Sequence, residues 1–305
     1  MKYLKIANAD LNISRIGLGC MRINNMTNAE IDKLMNGAYE AGINFFDHAD
    51  IYGGGKCEEL FGQMLKNNKS FRDKIKIQSK CGIRKGFFDF SKEHILSSVD
   101  NILSRLGIDY LDTLLLHRPD ALFEPEEVAE AFTKLENDGK VKYFGVSNQN
   151  PNQIALLSKY VKQKILFNQL QFSITNSTMI KSGLNVNMEN EAAVNRDGGV
   201  LDYCRLNDIT IQPWSPFQHG FFKGIFLGNP DYEELNKKID EIAEKYSVTN
   251  SAIAIAWILR HPANMQPIVG TTNLERVEEI CKAAEITLTR EEWYDIFKSA
   301  GNILP

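Results

Sequence analysis

Three side chains able to handle protons stand at the ends of apolar runs: Asp47 closes Ile43–Asp47, Lys80 closes Ile75–Lys80 and His117 closes Leu111–His117. Ser147 and Asn148 follow from a fourth run, Phe144–Ser147. Singly, each has an ordinary explanation: a terminal aspartate caps turns, a lysine is solvated, and a lone histidine is commonly structural. On neighbouring strands of a barrel they converge, because adjacent strand ends lie roughly 5 Å apart. An acid, an ammonium and an imidazole on one rim can exchange protons with a substrate. A strand-end lysine also suits Schiff-base chemistry, that of a lyase or aldolase.

The elements that must position these residues are legible in the hydrophobic period. Eight short apolar runs, Ile16–Met21, Ile43–Asp47, Ile75–Lys80, Leu111–His117, Phe144–Ser147, Phe167–Gln171, Thr210–Trp214 and Gln266–Val269, read as strands. Helical periodicity marks Asn28–Ala41, Glu58–Leu65, Lys92–Leu106, Glu126–Asn137, Gln153–Lys159 and Ser251–Arg260. Thr27 and Ser91 fit N-caps, and Gly42, Gly107 and Gly139 fit stops. Alternation of strand and helix predicts an α/β fold, a (β/α)8 TIM barrel forming one domain over residues 1–305. No Gly-x-Gly-x-x-Gly turn follows the first strand, which argues against an open doubly wound sheet. Met1–Ile13 is expected to form an N-terminal hairpin or cap over the barrel floor, and Thr287–Ala300 an extra C-terminal helix.

Two long connections follow strands, on the face where barrels keep their active sites. Ser173–Gly199 is polar and rich in Asn; its position favours a functional loop, with a mobile insertion as the lesser alternative on composition. Ser215–Pro230 carries Phe217, Phe221, Phe222 and Phe226, which favour a partly hydrophobic ligand or simply pack on themselves.

Composition excludes several function classes. The 35 Lys+Arg against 39 Asp+Glu give a formal charge of −4, with no block of like charges, which argues against nucleic acid or an anionic membrane as partner. Met1–Asn8 lacks an apolar stretch of signal-peptide length, and no segment approaches the roughly 18 apolar residues of a spanning helix, so a cytoplasmic protein is expected. The 5 cysteines, Cys20, Cys57, Cys81, Cys204 and Cys281, are scattered and odd in number, which predicts reduced thiols and no structural metal.

Further landmarks carry a resemblance. Phe46-Asp47-His48-Ala49-Asp50-Ile51-Tyr52-Gly53 resembles the Asp-x-Ala-x-x-Tyr-Gly signature of the aldo-keto reductase superfamily. In the required order follow Ile77-Gln78-Ser79-Lys80, Leu115-Leu116-His117-Arg118-Pro119, Gly145-Val146-Ser147-Asn148, Asn168-Gln169, Trp214-Ser215-Pro216 and Gly270-Thr271-Thr272-Asn273-Leu274-Glu275-Arg276. The resemblance spans about Gly17 to Glu279 and implies an oxidoreductase that moves hydride between a nicotinamide cofactor and a small aldehyde or ketone. It implies NADPH, with NADH possible, and a catalytic set of Asp47, Tyr52, Lys80 and His117. Residues matching Ser147, Asn148 and Gln169 hold the carboxamide in the family, and an aromatic at Trp214, more often a tyrosine, stacks on the ring. Ser215, Pro216 and Phe217 begin the loop along the pyrophosphate, Cys20 and Met21 end the strand where relatives touch nicotinamide, where an ordinary core role fits equally, and Asp47 counts among the cofactor contacts as well as the catalytic set. Gly270, Thr271, Thr272, Arg276 and Glu279 match the adenosine end; no lysine stands in Gly270–Asn273, leaving Arg276 as the cation for a 2′-phosphate.

The tetrad is sensible chemistry in its own right. Reducing a carbonyl leaves an alkoxide to be protonated, and a phenol with an ordinary pKa of about 10 needs a nearby cation to do this near neutrality. An ammonium about 4 Å away contributes roughly 4 kcal/mol at an effective dielectric of 20, or about three pKa units. Asp47 would keep Lys80 charged and oriented, and His117 would hold the substrate oxygen. Two alternatives remain at this level: a nucleotide-binding regulator with little turnover on the same fold, and a Schiff-base lyase using Lys80.

Overall fold

In the computed structural model, which describes residues 1–304, the apolar runs pair in parallel into a closed barrel. Its strands are β1 (Gly17–Gly19), β2 (Phe45–Asp47), β3 (Lys76–Cys81), β4 (Leu111–Leu116), β5 (Val141–Ser147), β6 (Ile165–Gln171), β7 (Thr210–Trp214) and β8 (Ile268–Val269). Each pairs with the next in chain order, and β8 returns to β1. Hydrogen-bonded pairing is narrower than apolar character in several places. Cys20 and Met21 lie beyond β1, His117 lies one residue beyond β4 with its N–H on the carbonyl of Cys81, and β8 starts only after Pro267, which has no N–H to give a ladder. Conversely β5 begins three residues before the apolar run, because outward-facing Lys142 interrupts the hydrophobic pattern without interrupting the pairing.

The helices that follow the strands are α1 (Asn28–Glu40), α2 (Lys56–Asn67), α3 (Lys92–Leu106), α4 (Pro125–Asn137), α5 (Pro151–Tyr160), α6 (Val200–Leu206), α7 (Asn250–Arg260) and α8 (Leu274–Cys281). Their ends are chemically specified. Thr27 and Glu30 form a reciprocal capping box on α1, Ser91 caps α3, and Gly107 stops α3 in the left-handed region at φ 63°. Proline occupies the first turn of α4 and α5, where its missing N–H costs nothing.

Additions to the repeat seal and extend the barrel. Tyr3–Lys5 and Asn12–Ser14 form the antiparallel N-terminal hairpin, whose Ile6, Leu11 and Ile13 cluster with Phe45, Leu115, Phe167 and Ile268 to close the floor with apolar surface. The extra C-terminal helix runs Arg290–Ser299 behind a Thr289–Glu292 capping box. Further helices absent from the sequence reading occupy Thr178–Leu184 and Glu233–Tyr246. Ser173–Gly199 is therefore not one uninterrupted loop: its Asn residues serve as caps and turn-formers around short helices. The hydroxyls of Ser173 and Thr175 both donate to the carbonyl of Gln218, tying this connection to the one after β7. No helix among the described residues is long and apolar enough to cross a membrane.

Candidate active site

Asp47, Tyr52, Lys80 and His117 come together at the C-terminal mouth of the barrel. The register pairs Asp47 of β2 with Gln78 of β3, so Lys80, two residues on and on the same face, reaches over the aspartate. Lys80 Nζ donates to Asp47 Oδ2 at 2.8 Å, to the His48 carbonyl at 2.7 Å and to Tyr52 Oη at 3.0 Å, which uses all three of its protons. Tyr52 is delivered by a tight turn after β2 in which Gly53, Gly54 and Gly55 all have positive φ. Its ring meets His117 edge to face, with centroids 6.1 Å apart.

Burial opposes the charged ammonium of Lys80, but Asp47 and then Tyr52 outweigh it and hold its pKa above the ordinary lysine value. Burial likewise pushes the Tyr52 phenol up; Lys80 opposes this without reversing it. The expectation of a phenol drawn toward neutrality is thus corrected: desolvation wins, and Tyr52 stays protonated at neutral pH. Burial, reinforced by Lys80 and Arg118, drives His117 well below the usual histidine range, so its imidazole is neutral. Nδ1 of that ring is buried without a partner. Because an orphaned N–H is the worse defect, the proton belongs on Nε2.

Beneath the tetrad lies a polar column that the hydrophobic period concealed. Gln78 Nε2 donates to Asp47 Oδ1 at 2.7 Å and to Gln212 Oε1 at 2.9 Å, and Gln169 Nε2 donates to Asp47 Oδ1 at 3.0 Å. Gln212 then donates to Gln266 at 2.9 Å, and Gln266 to the carbonyl of Ser14 in the floor hairpin at 2.7 Å. The available signal was a glutamine at inward-facing positions of otherwise apolar strands, as in Ile77-Gln78 and Ile211-Gln212. A second carboxylate pair, buried Glu58 and partly buried Asp50, lies beside β3. Glu58 pairs with Arg105 at 2.7 Å and accepts from the Ser79 hydroxyl at 2.6 Å. Desolvation and the Glu58 charge push neighbouring Asp50 up to about 7.

The residues assigned to a cofactor divide by position. Ser147 Oγ donates to the carbonyl of Gln169, Asn148 takes a left-handed backbone at φ 56°, and the Trp214 indole N–H donates to Asn148 Oδ1 at 3.1 Å. Gln169 spends its amide on Asp47, and Ser215 turns the chain with φ 51°. Phe217 is partly buried, Pro216 and Cys20 are buried, and Met21 is open. Across β8, a Cβ at Gly270 would meet nothing within 4 Å, and Thr272 is exposed beside partly exposed Thr271. Asn273 caps α8, Arg276 is exposed without an ion pair among the described residues, and Glu279 pairs with Lys282 at 2.6 Å. A flat indole at one end and an open backbone with an unpaired guanidinium at the other fit an extended dinucleotide whose far end carries phosphate.

The family model described as "Aldo/keto reductase family" matches residues 15–300. The uncharacterized oxidoreductase YcsN of Bacillus subtilis (strain 168) is 35% identical, with 97% of each chain covered. The 6-dehydroglucose reductase of Agrobacterium fabrum is 33% identical, again covering 97% of each. Among solved structures, the thermostable aldo-keto reductase Tm1743 in complex with the inhibitor epalrestat superposes with a TM-score of 0.78 at 26% identity, covering 98% of this chain and 100% of that one.

Proposed function

From the premise that this chain belongs to the aldo/keto reductase family and is a nicotinamide-dependent oxidoreductase, we propose that it reduces small aldehydes or ketones with NADPH, using Tyr52 as proton donor. The observation that carries this reading is the unbroken contact from Asp47 through Lys80 to the Tyr52 hydroxyl. When bound, the reduced nicotinamide supplies the hydride. Tyr52 gives its proton to the carbonyl oxygen, and the ammonium 3.0 Å away stabilises the phenolate that remains. Asp47 holds that ammonium in place, and the Nε2–H of His117 orients the substrate oxygen. Ser147, Asn148 and Trp214 would hold the nicotinamide end, and Thr271, Thr272 and Arg276 the adenosine end.

The state of Lys80 favours this reading over a Schiff-base lyase. A nucleophilic amine must be neutral and free, whereas this one is triply engaged and held charged. Tyr52→Phe tests the proposal: kcat should fall by about 10²–10⁴ while the Kd for NADPH changes less than about threefold. Retention of more than about a tenth of wild-type kcat would remove Tyr52 from the role. Wild-type turnover of an aldehyde also excludes a purely regulatory protein.

A further inference from the structure

Five arginines of this chain are partly buried, and four of them have an acceptor. Arg15 donates to the Leu259 carbonyl, Arg72 pairs with Asp112, Arg105 pairs with Glu58, and Arg260 donates to the Leu288 carbonyl. Arg118 alone has neither an ion pair nor a hydrogen-bond acceptor among the described residues. It follows His117 directly, and its guanidinium carbon lies 5.6 Å from the ring centre of Trp214 and 5.7 Å from that of Phe221. Burial lowers its pKa, and the neighbouring Tyr52 opposes this. The acid nearest in sequence, Asp120, is occupied by the backbone N–H groups of Phe90 and Leu122.

A half-desolvated guanidinium without a counter-charge is costly, and its planar fork matches a carboxylate in two parallel hydrogen bonds. Two aromatic rings flank the guanidinium, and its partial burial strengthens any ion pair formed there. We propose that Arg118 is the recognition point for a carboxylate carried by the carbonyl substrate, making the preferred substrate class an oxo acid. The proposal rests on the reading of Tyr52 and His117 as the place where the carbonyl sits. Trp214 and Phe221 would flank the segment joining the two functional groups.

The test compares 3- and 4-carboxybenzaldehyde with their methyl esters, using the full chain with NADPH. A hydrogen bond to a charged group corresponds to roughly 10- to 150-fold, so wild-type kcat/KM should favour at least one acid over its ester by ten-fold or more. Arg118→Met should bring that ratio to within about threefold of unity. Equal use of acids and esters by the wild type overturns the proposal, as does a variant that loses both alike with the ratio intact. A tenfold weaker Kd for NADPH with an unchanged ratio would assign the guanidinium to the cofactor instead. If neither aldehyde turns over, the carbonyl-reduction reading fails separately. Calorimetric binding of the carboxybenzyl alcohols, acid against ester, in wild type and Arg118→Met then decides the anion site by the same ratio.

Discussion

Replacing Lys80 by Met removes one charge from a site where it has three partners. At 3.0 Å from Tyr52 Oη, with an effective dielectric of 20, that charge contributes about 5.5 kcal/mol toward the phenolate, equivalent to about four pKa units. Water entering the space left by the ammonium reduces this, so about two units is the expected minimum. The sign is upward: burial already raises the phenol, and Lys80 is the main group opposing it. In alcohol oxidation Tyr52 must accept a proton, so the rate grows with pH through its pKa, and that limb should move to higher pH by two units or more. The same change strands Asp47, buried and still bound to two glutamine amides, which should cost about 3–5 kcal/mol in urea unfolding. Lys80→Met combined with Asp47→Asn separates the effects, because stability should largely return while the limb stays displaced. A folded, cofactor-binding Lys80→Met protein whose limb remains within half a unit of wild type would refute the tuning role.

If Arg276 is the cation for the extra phosphate, as proposed, Arg276→Ala should weaken NADPH at least tenfold and NADH less than threefold by calorimetry; equal losses would refute that assignment. Asp50 titrates near 7 in the fold against about 3.9 unfolded, so the native state binds the extra proton between these values and stability must fall as pH rises from about 4 to 7, by at most about 4 kcal/mol. Asp50→Asn should flatten that decline in urea midpoints and raise the Tm at pH 8; an unchanged slope would place the strain elsewhere.

The barrel was legible because eight apolar runs alternate with capped helical segments, and Asp47, Lys80 and His117 because they stand where those runs stop, whereas Tyr52, in the turn beyond its run, stood out only through the resemblance. What the hydrophobic period missed has identifiable physical causes. Gln78 and Gln212 face inward but are polar, so a pattern scored on apolar residues passes over them. Lys142 faces outward and hid the start of β5 for the opposite reason. The short helix Thr178–Leu184 escaped because seven residues scarcely complete two turns of periodicity. The Tyr52 shift was misjudged because spacing reveals the cation beside a phenol, while only the packed structure reveals how little water reaches it. Arg118 is one residue of a motif in the sequence, and only the packed structure shows it without an acceptor among the described residues.

The glutamine column carries a direction. A carboxylate accepts and never donates, so Asp47 obliges Gln78 and Gln169 to present N–H groups to it. Gln212 must in turn offer them its oxygen, its own N–H₂ faces Gln266, and Gln266 faces the main chain of Ser14. Two acceptor-only groups, the carboxylate at the mouth and the Ser14 carbonyl at the floor, thereby agree on which way every amide between them points. In Asp47→Asn the Lys80 ammonium still claims the side-chain oxygen, so the new N–H₂ confronts the N–H groups of Gln78 and Gln169; turning the column over to receive it would set the Gln266 oxygen against the Ser14 carbonyl, and a core satisfied at both ends acquires a mismatch that must sit at one of them.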